Sequence, residues 1–229
     1  MRKSEIDAVV KATVAEIAER RRGVPGARTM RKRLSAQLKA TDPADVIAIG
    51  LGIANAPAMK PARARWVGWE LINEHRGALD TLDIATIEAL GAGNSSWDEV
   101  DGFGIYILGA AWQRGRVADA DIYRWANDSD LWRRRAALVA TVVLNLKSRG
   151  GRGDTRRTLA VVKLLVDDRE DMVVKAMSWS LRSLVAWDRT AVEDFLRRYD
   201  ERLAARVKRE TRTKLVTGLK NKSKKKTAV

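Results

Sequence analysis

The sequence predicts an all-α protein that forms a curved solenoid of antiparallel helical pairs. Apolar residues recur with a period close to 3.6 residues along almost all of the 229 residues, without a good alternating strand pattern. Helix-start signals recur as well, and the connections between the periodic segments are short. About a dozen helices joined by short links favour pairs that stack on one another.

The predicted helices follow one another closely along the chain. Their approximate ranges are residues 3–21, 27–40, 43–55, 60–76, 82–91, 97–114, 118–126, 130–148, 155–166, 170–187, 190–199 and 201–219. Start signals support three of them: an Asp42 N-cap followed by Pro43, and two capping boxes, Ser96 with Glu99 and Thr190 with Glu193.

The segments that lack the helical periodicity predict where loops and the end of the fold lie. No strict sequence repeat is visible, so the repeats are expected to be degenerate. Residues 148–154 are predicted to form a flexible glycine-rich loop, and the alternative interpretation places Arg149 and Arg152 near phosphates. Residues 1–219 are predicted to form one helical domain, followed by a disordered basic tail at residues 220–229.

The charge of the chain favours a polyanionic partner, most of all duplex DNA. Lysine and arginine number 44 against 29 acidic residues, which gives a net charge of +15. The excess is uneven, because the segment from Arg202 to Val229 holds eleven of the basic residues and a single acid, Glu210. Charge alone also permits a basic protein without a specific polyanion, so the partner has to be argued from individual residues.

Several classes of function are disfavoured by what the sequence lacks. It contains no cysteine and a single histidine, His75, which excludes disulfides and thiolate zinc sites and disfavours a histidine-based metal site or a Ser-His-Asp triad. We therefore expect neither a metal nor another cofactor. No apolar run approaches the ~18 residues of a membrane span, and the N-terminus lacks the apolar core of a signal peptide, so we expect a cytoplasmic, nucleoid-associated protein.

One tryptophan lies on the polar side of its predicted helix. In residues 170–187 the apolar stripe is nearly opposite Trp179, and Lys175 and Arg182 flank this tryptophan on the polar side. An indole between two cations suits contact with a nucleotide. The alternative is that Trp179 packs against a neighbouring repeat, since solenoid helices can bury two faces.

A carboxylate and an arginine also depart from the local pattern. Asp101 lies one turn after Trp97 in a helix that is apolar on most sides, so it is either a functional carboxylate or a structural one paired with an arginine. Arg135 continues an apolar stripe and therefore needs a fixed carboxylate or phosphate. Its neighbours Arg133 and Arg134 are interpreted as a solvated cationic edge.

These segments resemble AlkD-type alkylpurine DNA glycosylases. The resemblance rests on residues 97–101, 132–137 and 175–182, which come in the order and approximate spacing of that family, and it covers roughly residues 60–219. Lys208, Arg209 and the following basic helix are similar to the segment that closes the family's fold. The resemblance implies HEAT-like helical pairs that form a concave basic surface for duplex DNA.

The same resemblance implies a reaction and a set of site residues. The family hydrolyses the N-glycosidic bond of cationic N3- and N7-alkylated purines, which leave without protonation by an enzyme acid. The resemblance places Trp97, Asp101 and Trp179 in the active site and Arg135 in contact with the DNA. The expected DNA-binding residues are Arg135, Lys175, Arg182, Arg134, Lys208 and Arg209. We expect a monomer.

Two other functions stay open on the sequence alone. A non-catalytic relative would recognise distorted or branched duplex without releasing bases. A helical scaffold for protein partners would show an affinity that changes little with salt, whereas DNA binding weakens steeply as salt is added.

Overall fold

The structure, a computed structural model, describes residues 1–19 and 23–221, and within these residues it contains helices and no strands. The all-α prediction is confirmed. The helices are α1 (Lys3–Glu19), α2 (Gly23–Gln37), α3 (Pro43–Asn55), α4 (Trp66–Glu74), α5 (Ile84–Gly91), α6 (Trp97–Phe103), α7 (Gly109–Gln113), α8 (Asp119–Ala126), α9 (Leu131–Asn145), α10 (Thr155–Leu164), α11 (Asp171–Leu184), α12 (Arg189–Arg198) and α13 (Ala205–Thr217). A π-helical segment, Gly104–Leu108, joins α6 to α7.

These helices divide into two compact units, Met1–Ala118 and Asp119–Val229. The predicted end of the first helix at residues 20–21 and residues 222–229 of the predicted basic tail lie outside the described residues. The interpretation of residues 1–219 as one domain stays a prediction. No helix in the described part of the chain is long and apolar enough to span a membrane.

In the first unit, α3 and α4 form a closely packed antiparallel pair. Gly68 lies against Gly50 and Ala54, and Gly50 in turn lies against Ile72, so residue numbers rise along one helix as they fall along the other. A Cβ atom on Gly68 would come within 2.2 Å of the Gly50 carbonyl oxygen, far closer than real atoms approach. Glycine is therefore required at this crossing for the space it leaves.

In the second unit, α9, α11 and α13 stack in parallel. The Arg135 guanidinium donates to the Met172 carbonyl, and farther along the pair of helices the hydroxyls of Thr141 and Ser180 are 2.6 Å apart. On the other side of α11, Ser178 donates to the Glu210 carboxylate of α13 at 2.7 Å. Small hydroxyl side chains at these positions allow the helices to approach closely while their polar atoms stay paired.

A structural repeat that the sequence did not reveal is visible in these contacts. Hydrogen bonds between equivalent helices join residues 39 apart from α9 to α11 and 32 apart from α11 to α13. In the first unit, Asn73 of α4 donates to the Tyr106 carbonyl 33 residues later. Pairs of helices therefore recur at a variable period, which explains why no strict sequence repeat is detectable.

One of the three predicted helix starts is confirmed, and two are corrected. The Asp42 carboxylate accepts from the Ala44 amide at 2.8 Å, with Pro43 as the first residue of α3. Ser96 is the N-cap of α6 but makes no capping hydrogen bond through its side chain. The N-cap of α12 is Asp188, because its carboxylate accepts from the Ala191 amide, so the prediction for Thr190 was wrong.

Substitution of Gly68 tests whether the α3–α4 crossing has room for a side chain. We expect Gly68→Ala to lower the free energy of unfolding by at least about 2 kcal/mol, because overpacking against backbone outweighs the gain in helix propensity. Urea denaturation followed by circular dichroism measures the change. Gly52→Ala on α3 is the matched control, because its Cβ would meet only the half-exposed Val10 side chain. Equal effects of the two substitutions would contradict the proposed crossing.

Candidate functional site

The start of α6 holds two of the predicted site residues. Trp97 is the first residue of α6 and 52% of its surface is exposed, which is unusual for so large an apolar side chain. Asp101 follows one turn later and is half-buried. An accessible indole and a partly desolvated carboxylate therefore lie on neighbouring turns of one helix, where both can meet a ligand.

The helix that carries Asp101 is irregular directly after it. The π-helical segment Gly104–Leu108 changes the backbone hydrogen-bonding pattern, and the side-chain amide of Asn73 donates to the Tyr106 carbonyl at 2.8 Å. Gly102 brings this helix against α4, since a Cβ there would be 3.2 Å from the Trp69 ring. Single π-helical turns inside α-helices are frequent at functional sites, and this one sets the direction of the helix beyond Asp101.

A buried arginine that the sequence does not single out fixes the segment that leads into α6. Arg65 is only 5% exposed, and its guanidinium donates to the carbonyls of Ala54 and Ala92 at 2.8 Å each. It also donates to the Asn94 side chain at 2.6 Å and lies 3.9 Å from the Glu99 carboxylate. Burial lowers the pKa of Arg65, and the Glu99 charge opposes this effect. Arg65 thereby fixes the segment just before Trp97.

The first turn of α6 is held by a second set of contacts, which replaces the predicted capping box. The Glu99 carboxylate accepts from the Ser95 amide at 3.0 Å and not from Ser96. Asp98 accepts from the Arg63 guanidinium at 2.9 Å. Burial acts against ionisation of Asp98, but hydrogen bonds from Ser96 and Arg63 outweigh it and lower the pKa of this carboxyl. Both acids that directly follow Trp97 are thus engaged in structural contacts.

On α11, the predicted position of Trp179 on the open face agrees with the structure. Ser178 faces α13 and Ser180 faces α9, as their hydrogen bonds show, while Met177 and Leu181 are completely buried. Trp179 lies between the two serines on the remaining face and is half-exposed. The indole is therefore available at the surface of the α9–α11–α13 stack.

The cations beside Trp179 differ in their freedom. Lys175 pairs with Asp171 at 2.7 Å, an exposed contact within one helical turn. Arg182 is more constrained, because it donates to Ser178 at 3.1 Å and lies 3.8 Å from the Glu210 carboxylate. Burial lowers the pKa of Arg182, and Glu210 opposes this effect. Lys175 can thus exchange its partner for a phosphate far more easily than Arg182 can.

Arg135 and Arg134 are both held by the protein. Arg135 is 5% exposed, as the apolar stripe predicts, but its described partner is the Met172 carbonyl. Arg134 pairs with Asp168 at 2.7 Å and donates to the carbonyls of Asp128 and Ser129. The interpretation of Arg134 as part of a solvated edge was therefore wrong. Its long side chain reaches carbonyls just before its own helix and the Asp168 carboxylate just before α11.

The two predicted cations on α13 also differ. Lys208 donates to the Asp200 carbonyl at 2.8 Å and is half-buried. Arg209 is exposed, and its guanidinium has no partner among residues 1–19 and 23–221. Arg209 occupies the fifth position of α13, as Lys175 does on α11 and Arg135 does on α9. The parallel stack thus repeats a cation at one position.

The predicted site residues fall into two sets, each within one compact unit. The first unit contains Trp97 and Asp101, and the second contains Trp179 with all six predicted DNA-binding cations. In the described residues, no group of three or more His, Asp or Glu side chains could hold a metal ion. The residues that sequence reasoning missed, Arg65 and Glu210, are ordinary charged residues in sequence and gain their importance only from burial.

Comparison with known proteins gives one match. The sequence model of a family described as DNA alkylation repair enzyme matches residues 58–215, well over half of the chain. The matched segment includes α6 and α11, and it leaves α1 to α3 outside. No curated protein and no solved structure matches the chain significantly.

Substitution of Arg65 tests its role in holding the approach to α6. We expect Arg65→Met to lower the free energy of unfolding by about 3–5 kcal/mol, because several buried acceptors lose their donor and Glu99 loses its counter-charge. Arg63→Met is the matched control, since the exposed Arg63–Asp98 pair should contribute less than about 1 kcal/mol. Chemical denaturation of both variants measures the difference, and similar losses would contradict a special role for Arg65.

A second substitution tests the buried carboxylate between α11 and α13. Glu210→Gln should cost about 2 kcal/mol, because Arg182 loses the charge beside it while Ser178 keeps only a neutral acceptor. Glu193→Gln serves as the control, because Glu193 forms an exposed pair with Arg189 within one helical turn and should contribute less than about 0.5 kcal/mol. If Glu210→Gln left the free energy of unfolding unchanged in urea titrations, the stack would not depend on this charge.

Proposed function

The chain belongs to the DNA alkylation repair enzyme family, and we propose from this premise that it is an AlkD-type glycosylase. It hydrolyses the N-glycosidic bond of cationic N3- and N7-alkylated purines in duplex DNA. The observation that carries the proposal is the pairing on α6 of an exposed Trp97 with a half-buried Asp101 one turn later.

The chemistry requires little more than these two kinds of side chain. An alkylated purine already carries a positive charge, so it leaves as a neutral base and needs no general acid. The barrier lies in the positive charge that develops on the deoxyribose as the bond breaks. A carboxylate stabilises that charge electrostatically, and partial burial strengthens its effect because water screens it less. Asp101 is assigned this role and that of positioning the attacking water.

The indoles supply contact with the nucleotide. The face of a tryptophan ring attracts cations and stacks on sugars or bases, which suits both the charged purine and the developing oxocarbenium ion. Trp97 is accessible on α6, and Trp179 is accessible on α11 between two cation-bearing turns. Each indole is therefore assigned to contact with nucleotides of the bound DNA. The proposed reaction uses no cofactor, and the protein acts as a monomer.

The predicted DNA-binding cations divide by their partners. Lys175 and Arg209 are exposed, and the Arg209 guanidinium has no partner in the described part of the chain, so these two are assigned to phosphates. Arg134, Arg135, Arg182 and Lys208 each bind carbonyl or carboxylate groups of the protein. They contribute positive potential near the DNA and hold the stacked helices in place.

Substitution of Asp101 tests the proposed chemistry. We expect Asp101→Asn to slow release of 7-methylguanine from methylated duplex DNA by about 100-fold or more, because the neutral amide cannot stabilise the developing charge. The rate is measured under single-turnover conditions, with the protein in excess over the duplex and at a concentration above the dissociation constant of the complex. The released free bases are detected by mass.

Asp98→Asn provides the matched control on the same helix. Asp98 is bound to Arg63 and Ser96, so its substitution should change the rate less than about threefold. Unchanged base release by Asp101→Asn would remove Asp101 from catalysis. Tight DNA binding without base release by the unaltered protein would instead identify a non-catalytic relative.

A further inference from the structure

The glycine-rich stretch after α9 has a defined conformation, unlike the flexible loop that the sequence predicts. Lys147–Arg149 forms a turn of 3-10 helix, and the amides of Gly151 and Gly153 donate to carbonyls at the end of α9 at 2.9 and 3.1 Å. A Cβ on Gly151 would come within 2.5 Å of the Val143 carbonyl oxygen. Glycine is thus required for the loop to lie against the end of the helix.

An exposed tryptophan from the turn after α11 is held against this loop. Trp187 keeps 36% of its surface accessible, although its indole nitrogen donates to the Asn145 carbonyl at 2.8 Å. Gly153 packs against it with a φ of +80°, and any side chain there would meet the Trp187 side chain at 2.7 Å. The Lys147 ammonium lies 5.1 Å from the ring centroid. The indole therefore loses little conformational freedom when it binds a ligand.

Among the residues that the structure describes, Lys147 and Arg152 of this loop lack the carboxylate partners that most arginines of the second unit possess. Arg134, Arg156 and Arg206 each pair with an aspartate. Arg152 is exposed and has no partner within the described ranges, and the only described contact of the Lys147 side chain there is with Trp187. Lys147 lies against the exposed indole, and Arg152 directly precedes Gly153, which packs on it. Together they form a surface suited to phosphates and the sugars between them.

We infer that Lys147, Arg152 and Trp187, here called the loop patch, form a second contact with the phosphate backbone of duplex DNA. The inference rests on the proposed function for its ligand, but it requires only DNA binding and not base release. The patch lies beyond the end of α11, at least about 7 Å along the helix axis from Trp179. It therefore widens the DNA footprint of the second unit.

Salt dependence of DNA binding tests the loop patch. For a lesion-free 20-base-pair duplex and the full chain, Arg152→Ala should weaken binding about 3- to 10-fold at low salt. It should also lower the slope of log Kd against log salt by about 0.9, the value for one phosphate contact. Lys163→Ala removes from the end of α10 an exposed cation that has no partner in the described segments, and it should leave both quantities unchanged. Arg152 has no described contacts to lose, so neither variant should shift the melting temperature.

Cross-linking tests the same contact by proximity and not by affinity. The chain contains no cysteine, so Arg152→Cys and Lys163→Cys each introduce a single attachment point for a photoreactive label. Irradiation should join the label at position 152 to the duplex and give little product at position 163. Equal salt slopes for the two alanine variants together with no cross-link at position 152 would overturn the inference.

Other outcomes separate this inference from the proposed function. If the protein binds lesion-free duplex through position 152 but releases no alkylated base, the loop-patch inference stands and the proposed glycosylase activity is contradicted. A protein that binds no duplex at low salt would overturn both. Displacement of the duplex by polyglutamate at equal charge concentration, with cross-linking of that peptide at position 152, would assign the patch to an acidic protein instead.

Discussion

Carbonyl groups at the C-terminal ends of helices need hydrogen-bond donors, and this requirement organises the structure. The last carbonyls of a helix have no partner within it, and short connections leave few backbone amides to serve them. Long side chains from neighbouring elements supply the donors instead. Arg65 donates to carbonyls at the ends of α3 and α5, the indole of Trp187 donates to the last carbonyl of α9, and Arg189 donates to a carbonyl near the end of α13. Each such contact ties the end of one helix to a neighbouring element.

This requirement changes what the positive charge of the protein means. Many arginines already bind carbonyls and carboxylates at helix ends, so a net charge of +15 overstates the number of cations available to a polyanion. Arg134 illustrates the point, because it binds two carbonyls and one aspartate within its own unit. Cations without such partners, such as Arg152 and Arg209, are the better guide to a DNA-binding surface.

The two sets of site residues are positioned by different means. On α6, the Arg65 contacts fix the entry to the helix and a π-helical turn follows Asp101, so backbone geometry sets the site. On α11, Ser178 and Ser180 bond to the helices on either side, so lateral packing leaves Trp179 on the free face. Both arrangements place a functional side chain on a helix whose orientation is determined by buried polar contacts.

Local patterns in the sequence were enough to predict the helical class, most helix ranges and the unusual positions of Asp101, Arg135 and Trp179. These properties depend on local periodicity, which a single helix expresses without its neighbours. Tertiary structure alone decided which charged residues are buried, because Arg65 and Glu210 differ from surface residues only in what packs around them. It also decided that α12 begins after Asp188 and that residues 147–153 are ordered by Trp187, since both depend on contacts between segments that sequence periodicity does not relate.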